Sequence, residues 1–186
     1  FNDIFDVGKD RQHPKKRFRP IASGRLPVGM AWTAATVLMV GGLTSAFILE
    51  PLFGGVSLAY VATMVAYTLV LKALVLLDVF AISTGFVLRA VAGAAVLEVP
   101  ISPWLYICTG LGALFIALAK RRSELVVAGG EAGRQRGTLD RYTVDLLNQL
   151  ITVVATSVVL TYSLYTFTAP NLPDNNSMML TIPFVV

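Results

Sequence analysis

Long apolar runs, separated by short charged or turn-rich segments, dominate this chain of 186 residues. Five complete runs and the start of a sixth lie at about residues 28–49, 56–71, 79–97, 103–119, 144–168 and from 178 to the end. Each complete run is near the ~20 residues that cross ~30 Å of hydrocarbon. Only 14% of the residues are charged, whereas a soluble domain has about 25%. The pattern predicts an all-α, polytopic transmembrane helix bundle.

Basic residues are concentrated in alternate connections between these runs. Residues 1–27 contain seven Lys or Arg, residues 120–142 contain six, and Lys72 lies in the connection 72–78. The other connections contain neither Lys nor Arg; they are residues 50–55, 98–102 and 169–177. By the positive-inside rule, the three basic loops are predicted to be cytoplasmic. We interpret residues 1–186 as one membrane domain truncated at both ends, because the chain starts without Met and stops within an apolar stretch.

Three aspartates, Asp3, Asp6 and Asp10, precede the first run. On a helix at about 100° per residue they share an arc of about 100° with Asn2. Unpaired carboxylates so close would repel one another, and a divalent metal would remove that repulsion. Aspartate oxygens suit Mg²⁺, which typically bridges to a phosphate, and the cations that follow suit the rest of a polyphosphate. We therefore predict a Mg²⁺–phosphate site at the bilayer surface.

One charged residue lies within the third run, and another lies immediately before it. Arg89 lies in its middle, where a charge costs roughly 2.5–3.5 kcal/mol on insertion scales. Asp78 lies eleven residues earlier, on the same helical face. We expect the two to line a polar cavity that opens to the cytoplasm. The alternative is that Arg89 joins helices by bonding to their carbonyl oxygens.

These motifs resemble the UbiA-type intramembrane transferase superfamily. The pattern N-D-x-x-D-x-x-x-D, followed by a basic loop that ends R-P-I-A-S-G-R-L, is similar to its first Asp-rich motif. The pattern Y-x-x-x-L-K, from Tyr67 to Lys72, is similar to the motif on its next cytoplasmic connection. The resemblance implies a nine-helix bundle with a central cavity open to lipid. The chain would then run from the end of the second helix to the start of the eighth.

The chain departs from the prenyl-diphosphate members of this superfamily at one motif, and this departure points to one branch. Where prenyl-diphosphate members carry a second Asp-rich motif, this chain reads A-L-A-K-R-R-S-E-L, with Lys120, Arg121 and Arg122 in place of the acids and Glu124 alone remaining. This is similar to the decaprenyl-phosphate phosphoribosyltransferase branch. Its members join 5-phosphoribosyl diphosphate to a polyprenyl phosphate for arabinan synthesis in the bacterial cell envelope. The resemblance implies a membrane-embedded glycosyltransferase of the bacterial plasma membrane whose active site faces the cytoplasm.

The resemblance also implies roles for individual residues. Asp3, Asp6 and Asp10 would be the catalytic residues and would hold Mg²⁺, which acts as a Lewis acid on the leaving diphosphate. The substrate-binding set would be Asn2, Lys16, Arg19, Tyr67, Lys72, Asp78, Arg89, Lys120, Arg121, Arg122 and Glu124. The predicted partners are phosphoribosyl diphosphate, a polyprenyl phosphate and the bilayer, and no nucleic acid is expected. Whether the protein forms a homo-oligomer is left undecided.

Two other functions remain open at this point. An ordinary UbiA-type prenyltransferase would move a polyprenyl chain onto an aromatic acceptor, which the missing second Asp-rich motif argues against. A non-enzymatic transporter would account for Arg89 and leave the acidic cluster unexplained. The glycines in loop 123–141 also leave undecided whether this loop acts as a mobile lid.

Overall fold

The computed structural model describes residues 2–12, 15–99, 102–128, 141–168 and 177–184. All regular structure in these ranges is helical, so the predicted all-α class is confirmed. The α-helices are α1 (Asn2–Phe5), α2 (Val7–Gln12), α3 (Val28–Leu49), α4 (Pro51–Leu69), α5 (Leu77–Leu97), α6 (Pro103–Ala128) and α7 (Val144–Thr168). Three 3-10 segments are Lys16–Phe18, Leu71–Ala73 and Ser177–Phe184. The sequence leaves loop 123–141 as a candidate for a mobile lid. Most of it, residues 129–140, lies outside the described residues.

The long helices pack in chain order. The main contacts join α3 to α4, α4 to α5, α5 to α6, and α6 to α7. Four of these helices, α3, α4, α5 and α7, are long and apolar enough to cross a membrane. A buried cluster that includes Val79, Leu118 and Leu147 joins α5, α6 and α7. Large apolar side chains such as Leu38 and Ile48 are exposed, as expected of a bundle surrounded by hydrocarbon.

The second span begins earlier than predicted. Glu50 caps α4, its carboxylate accepting the N–H of Leu52 at 3.4 Å, and Pro51 occupies the first turn, where its missing N–H is tolerated. Gly54 therefore lies inside α4 and forms no turn. A Cβ at Gly54 would lie 2.4 Å from the ring of Phe47, so glycine is needed for the close approach of α3 and α4.

Two further segments differ strongly from the prediction. α6 continues to Ala128, nine residues beyond the predicted end at residue 119, because residues 120–128 contain good helix formers and Arg121 has partners inside the bundle. Residues 177–184, where a sixth span was predicted to begin, form a 3-10 helix that includes Pro183. The bounds of α3 and α7 coincide with the predicted runs, and α5 begins two residues early.

Most of the charge lies at one end of the bundle, which we term the charged end. It comprises α1, α2, the segment Lys16–Phe18, the connection 70–76, the end of α6 and the start of α7. Ion pairs from Lys72 to Asp6 and from Arg121 to Asp78 join these segments.

Candidate functional site

The acidic segment is not one continuous helix. α1 ends at Phe5 and α2 begins at Val7, with Asp6 as the turn between them. The backbone N–H of Asp10 still donates to the carbonyl oxygen of Asp6 at 2.8 Å. The ring of Phe5 packs edge-on against Trp32 of α3, with 5.5 Å between centroids. The predicted helix is therefore interrupted at Asp6, and two short helices, anchored to α3 through Phe5, carry the aspartates.

The three aspartates are paired with basic side chains. Arg19 Nη1 donates to Asp3 Oδ1 at 2.9 Å and to Asp10 Oδ2 at 3.0 Å. Lys72 Nζ donates to Asp6 Oδ1 at 2.8 Å. Asp10 is buried, whereas about half of the Asp3 side chain is exposed. The expected carboxylate repulsion is thus relieved by two side-chain cations in this conformation.

Within the described ranges, no group of three or more Asp, Glu, His or Cys side chains is arranged to hold a metal ion. A preformed three-aspartate metal site is therefore absent from this conformation. The donor types nevertheless fit a hard divalent cation, because all three side chains offer carboxylate oxygens. The carboxylates would have to exchange their present cations for a metal.

The remaining predicted residues near this cluster lie at the same end. Asn2 begins α1, and Lys16 begins the exposed segment Lys16–Phe18. Tyr67 is half-buried in the last turns of α4, and Lys72 follows it in Leu71–Ala73. The Asp-rich motif and the Y-x-x-x-L-K motif are about sixty residues apart in the chain. The structure brings both of them to one surface.

A second charged cluster is buried beneath that surface. Asp78 is fully buried in the first turn of α5, and Arg121 is 2% exposed. Arg121 Nε donates to Asp78 Oδ2 at 2.8 Å, and its Nη1 donates to Glu124 Oε2 at 2.6 Å. The guanidinium is enclosed by these carboxylates. In this conformation Arg121 and Asp78 are buried and bonded to each other, and the contact of either residue with a substrate stays a prediction.

Tyr142 completes this buried cluster and was not predicted. Its hydroxyl donates to Asp78 Oδ1 at 2.8 Å and accepts the backbone N–H of Leu76 at 2.8 Å. Burial raises the pKa of Tyr142 to about 12, so the hydroxyl keeps its proton at neutral pH. Because no motif includes this residue, its only signal in the sequence was an aromatic side chain within a connection predicted to be polar.

The other two cations of the K-R-R motif remain accessible. Lys120 and Arg122 are exposed at the charged end. Arg122 Nε donates to Asn148 Oδ1 of α7 at 2.6 Å. Four basic residues were predicted to hold the lipid phosphate: Lys72, Lys120, Arg121 and Arg122. In this conformation Lys120 and Arg122 are exposed, Lys72 is paired with Asp6, and Arg121 is buried.

Arg89 lies in a different part of the bundle. It lines a cavity of about 440 Å³ between α3, α4 and α5, whose walls are mainly apolar. Its guanidinium donates to the hydroxyl of Tyr60 and lies 5.0 Å and 5.5 Å from the ring centroids of Tyr60 and Phe86. Arg89 thus lines a cavity, but its walls are mainly apolar, whereas a polar cavity that opens to the cytoplasm was predicted. Its described hydrogen bond is to a hydroxyl, not to a carbonyl. The predicted sharing of this cavity with Asp78 is wrong.

The cavity is remote from the acidic cluster. Its α3 lining runs from Leu38 to Ala46, 10 and 18 residues after Val28. At a rise of 1.5 Å per residue, these positions lie roughly 15–27 Å from the start of α3. Arg89 and the aspartates therefore cannot contact the same small polar group.

The arrangement of acids and cations at the charged end agrees with a family comparison. Residues 1–124 match the model of the UbiA prenyltransferase family. The chain belongs to this family. Membership, together with the long apolar helices, makes it a multi-pass membrane protein.

In sequence, this UbiA-family chain is similar to relatives that share one name. It is 36% identical over 185 residues to the decaprenyl-phosphate phosphoribosyltransferase of Mycobacterium tuberculosis (strain ATCC 25618 / H37Rv), covering 100% of the chain and 61% of that protein. It is 38% identical over 173 residues to the enzyme of the same name from Mycolicibacterium smegmatis, covering 93% and 54%. The predicted resemblance is confirmed, and the chain spans about three fifths of the M. tuberculosis relative.

A solved structure supports the UbiA-family fold. The chain is similar to a UbiA homologue from Archaeoglobus fulgidus bound to DMAPP and Mg²⁺, with a TM-score of 0.80. The match covers 99% of this chain and 65% of that one at 16% sequence identity. At this identity the likeness establishes the fold alone.

Proposed function

We propose that this chain belongs to a Mg²⁺-dependent membrane glycosyltransferase. It would transfer a 5-phosphoribosyl group from phosphoribosyl diphosphate to a polyprenyl phosphate such as decaprenyl phosphate, and its product would feed arabinan synthesis in the cell envelope. The observation that carries the proposal is the charge arrangement: one acidic cluster and the exposed cations Lys120 and Arg122 lie at the same end of the bundle. Such a surface suits two phosphorylated ligands, one bound through a metal and one directly. The names of the relatives agree with it.

The acidic cluster would bind the donor. Asp3, Asp6 and Asp10 would hold Mg²⁺, as their carboxylate chemistry allows and as the Mg²⁺ in the structural neighbour supports. When bound, the ion supplies charge neutralisation for the leaving diphosphate. Arg19 and Lys72 would turn from the carboxylates to phosphate oxygens. Arg19 is suited to this exchange because a guanidinium binds carboxylate and phosphate with the same fork of N–H groups.

The acceptor would need no general base. A phosphate oxygen of the lipid is already anionic at neutral pH, and it would form the new bond to C1 of the ribose. The bond from C1 to the diphosphate oxygen breaks, and the leaving diphosphate takes the electron pair. Lys120 and Arg122 would hold the lipid phosphate beside the donor, so that positioning of two anions supplies much of the rate. The lipid chain would lie along the bundle, where the cavity lined by Arg89 offers mainly apolar walls.

The charge bias of the connections sets the orientation in this proposal. The charged end would face the cytoplasm of a bacterial cell, on the side where phosphoribosyl diphosphate is available. Prenyl transfer to an aromatic acceptor is not favoured, because Lys120, Arg121 and Arg122 occupy the position of the second acidic motif.

The proposed reaction is tested on purified full-length protein in detergent or liposomes. We expect diphosphate release from phosphoribosyl diphosphate only when both a polyprenyl phosphate and Mg²⁺ are present, with the phosphoribosyl lipid appearing in equal amount. A chelator should stop the release, and Mg²⁺ should restore it. Transfer of the prenyl chain to an aromatic acid, or no reaction with either pair, would rule the proposal out.

The exposed cations should discriminate between the two substrates. In the variant Lys120→Ala/Arg122→Ala, we expect KM for the polyprenyl phosphate to rise by at least tenfold, since each charge-assisted contact is worth roughly 1.5–3 kcal/mol. KM for phosphoribosyl diphosphate should change less than threefold. Arg25→Ala removes another exposed cation and serves as the control. Equal effects on both substrates would show that the pair does not select the acceptor.

A further inference from the structure

Three segments of the charged end are joined by hydrogen bonds around the hydroxyl of Tyr142 and the carboxylate of Asp78. Tyr142 lies just before α7, and its side chain is buried at 3% exposure. The hydroxyl bonds to the amide of Leu76 and to the carboxylate of Asp78, and Asp78 bonds to Arg121 of α6. The start of α7, the connection before α5 and the end of α6 are therefore joined through a single buried network.

Leu76 depends on this network for its conformation. Its φ of 67° lies in the left-handed region, which is unfavourable for a bulky residue with a Cβ. Such a conformation persists only where the surroundings over-determine it. Two described contacts do so: the Leu76 side chain packs against the buried cluster, and its amide is held by Tyr142. The hydroxyl thus fixes the backbone at the point where the chain enters α5.

The fixed residue lies four positions after Lys72, and the backbone between them is bonded. The N–H of Leu74 donates to the carbonyl oxygen of Leu71 at 3.0 Å, and the N–H of Asp78 donates to that of Leu74 at 3.2 Å. Lys72 extends from this connection to Asp6, with Nζ to Oδ1 at 2.8 Å. A shift at Leu76 would therefore be transmitted to the ammonium group that meets the acidic cluster.

We propose that Tyr142 is a positioning residue, which holds the connection 70–76 so that Lys72 meets Asp6. The role in catalysis rests on the function proposed above, in which Lys72 contacts the donor phosphates. The placement of Lys72 does not require that function, because it concerns two side chains of the ligand-free protein. Tyr142 itself touches no substrate in this proposal.

The test measures the accessibility of Lys72 directly. Full-length protein in detergent is labelled with an amine-reactive reagent, and mass spectrometry gives the rate at Lys72 relative to that at the exposed Lys120 of the same sample. We expect Tyr142→Phe to raise the relative rate three- to tenfold, towards that of Asp6→Asn, in which the ion pair is absent. Tyr106→Phe in α6 removes a hydroxyl outside the network and should leave the rate unchanged.

An unchanged Lys72 rate in folded Tyr142→Phe would overturn the proposal. If that variant does not fold, Leu76→Gly is added to it, because glycine adopts a φ of 67° without a clash of its Cβ. The double variant should label Lys72 within twofold of the wild type. A folded double variant that labels as fast as Asp6→Asn would count against the role of Leu76 and would overturn the proposal as well.

Kinetics separate this inference from the proposed reaction. Tyr142→Phe should raise KM for phosphoribosyl diphosphate at least fivefold with a smaller change in kcat, and it should add nothing when Lys72 is already Met. Independent, multiplicative effects would indicate a merely structural role and contradict the inference. If labelling rises but no phosphoribosyl transfer is found, the placement of Lys72 by Tyr142 stands and the proposed function fails. If phosphoribosyl transfer is found but labelling of Lys72 is unchanged, the proposed function stands and the placement of Lys72 by Tyr142 fails.

Discussion

Replacing Asp6 by Ala should lower phosphoribosyl transfer by at least two orders of magnitude and leave the protein folded. The variant loses a proposed metal ligand, so the charge that builds on the leaving diphosphate is no longer neutralised. Its stability should change little, because the Asp6–Lys72 ion pair is partly exposed, with side chains 23% and 24% accessible. Such pairs contribute about 0–1 kcal/mol.

The measurement combines turnover with thermal unfolding. Mg²⁺ together with diphosphate should raise the unfolding temperature of the wild type, because a ligand that binds the folded state stabilises it. The same addition should have no effect on Asp6→Ala. Asp145→Ala removes an exposed carboxylate from the first turn of α7 and should behave as the wild type. Near-normal turnover of Asp6→Ala would remove Asp6 from the metal site.

Replacing Arg121 by Met should destabilise the fold by about 3–5 kcal/mol, the usual cost of leaving one partner of a buried ion pair uncompensated. In that variant Asp78 stays buried with the hydroxyl of Tyr142 but without a guanidinium. The second change, Asp78→Asn, removes the buried charge and should recover at least half of the loss. The two substitutions are therefore expected to be strongly non-additive.

Unfolding by denaturant in mixed micelles measures these free energies. Arg122→Met is the matched control, because it changes the neighbouring cation in sequence, which is exposed, and it should cost less than about 1 kcal/mol. If Arg121→Met were as stable as Arg122→Met, the buried network would not hold the charged end together.

The location of the chain in a membrane and most helix bounds were predictable from local information. A run of apolar residues long enough to cross hydrocarbon is a property of the segment itself, and α3, α5 and α7 lie within two residues of the predicted runs. α4 was predicted to start at residue 56, after Gly54 and Gly55, whereas Gly54 packs against Phe47 within a helix pair. α6 was predicted to end early because charged residues look like a loop, whereas Arg121 is paired inside the bundle.

The partners of the charged side chains were decided by the tertiary structure. The motifs identified Asp3, Asp6, Asp10 and Lys72 as one site by resemblance, but the ion pair from Lys72 to Asp6 joins residues 66 positions apart. The bonds of Asp78 to Arg121 and Tyr142 span 43 and 64 positions. Hydrophobic length and helical period act over one segment, so they predicted which parts enter the membrane. Which cation meets which carboxylate depends on how the connections fold back over the bundle, and only the packed structure determines that.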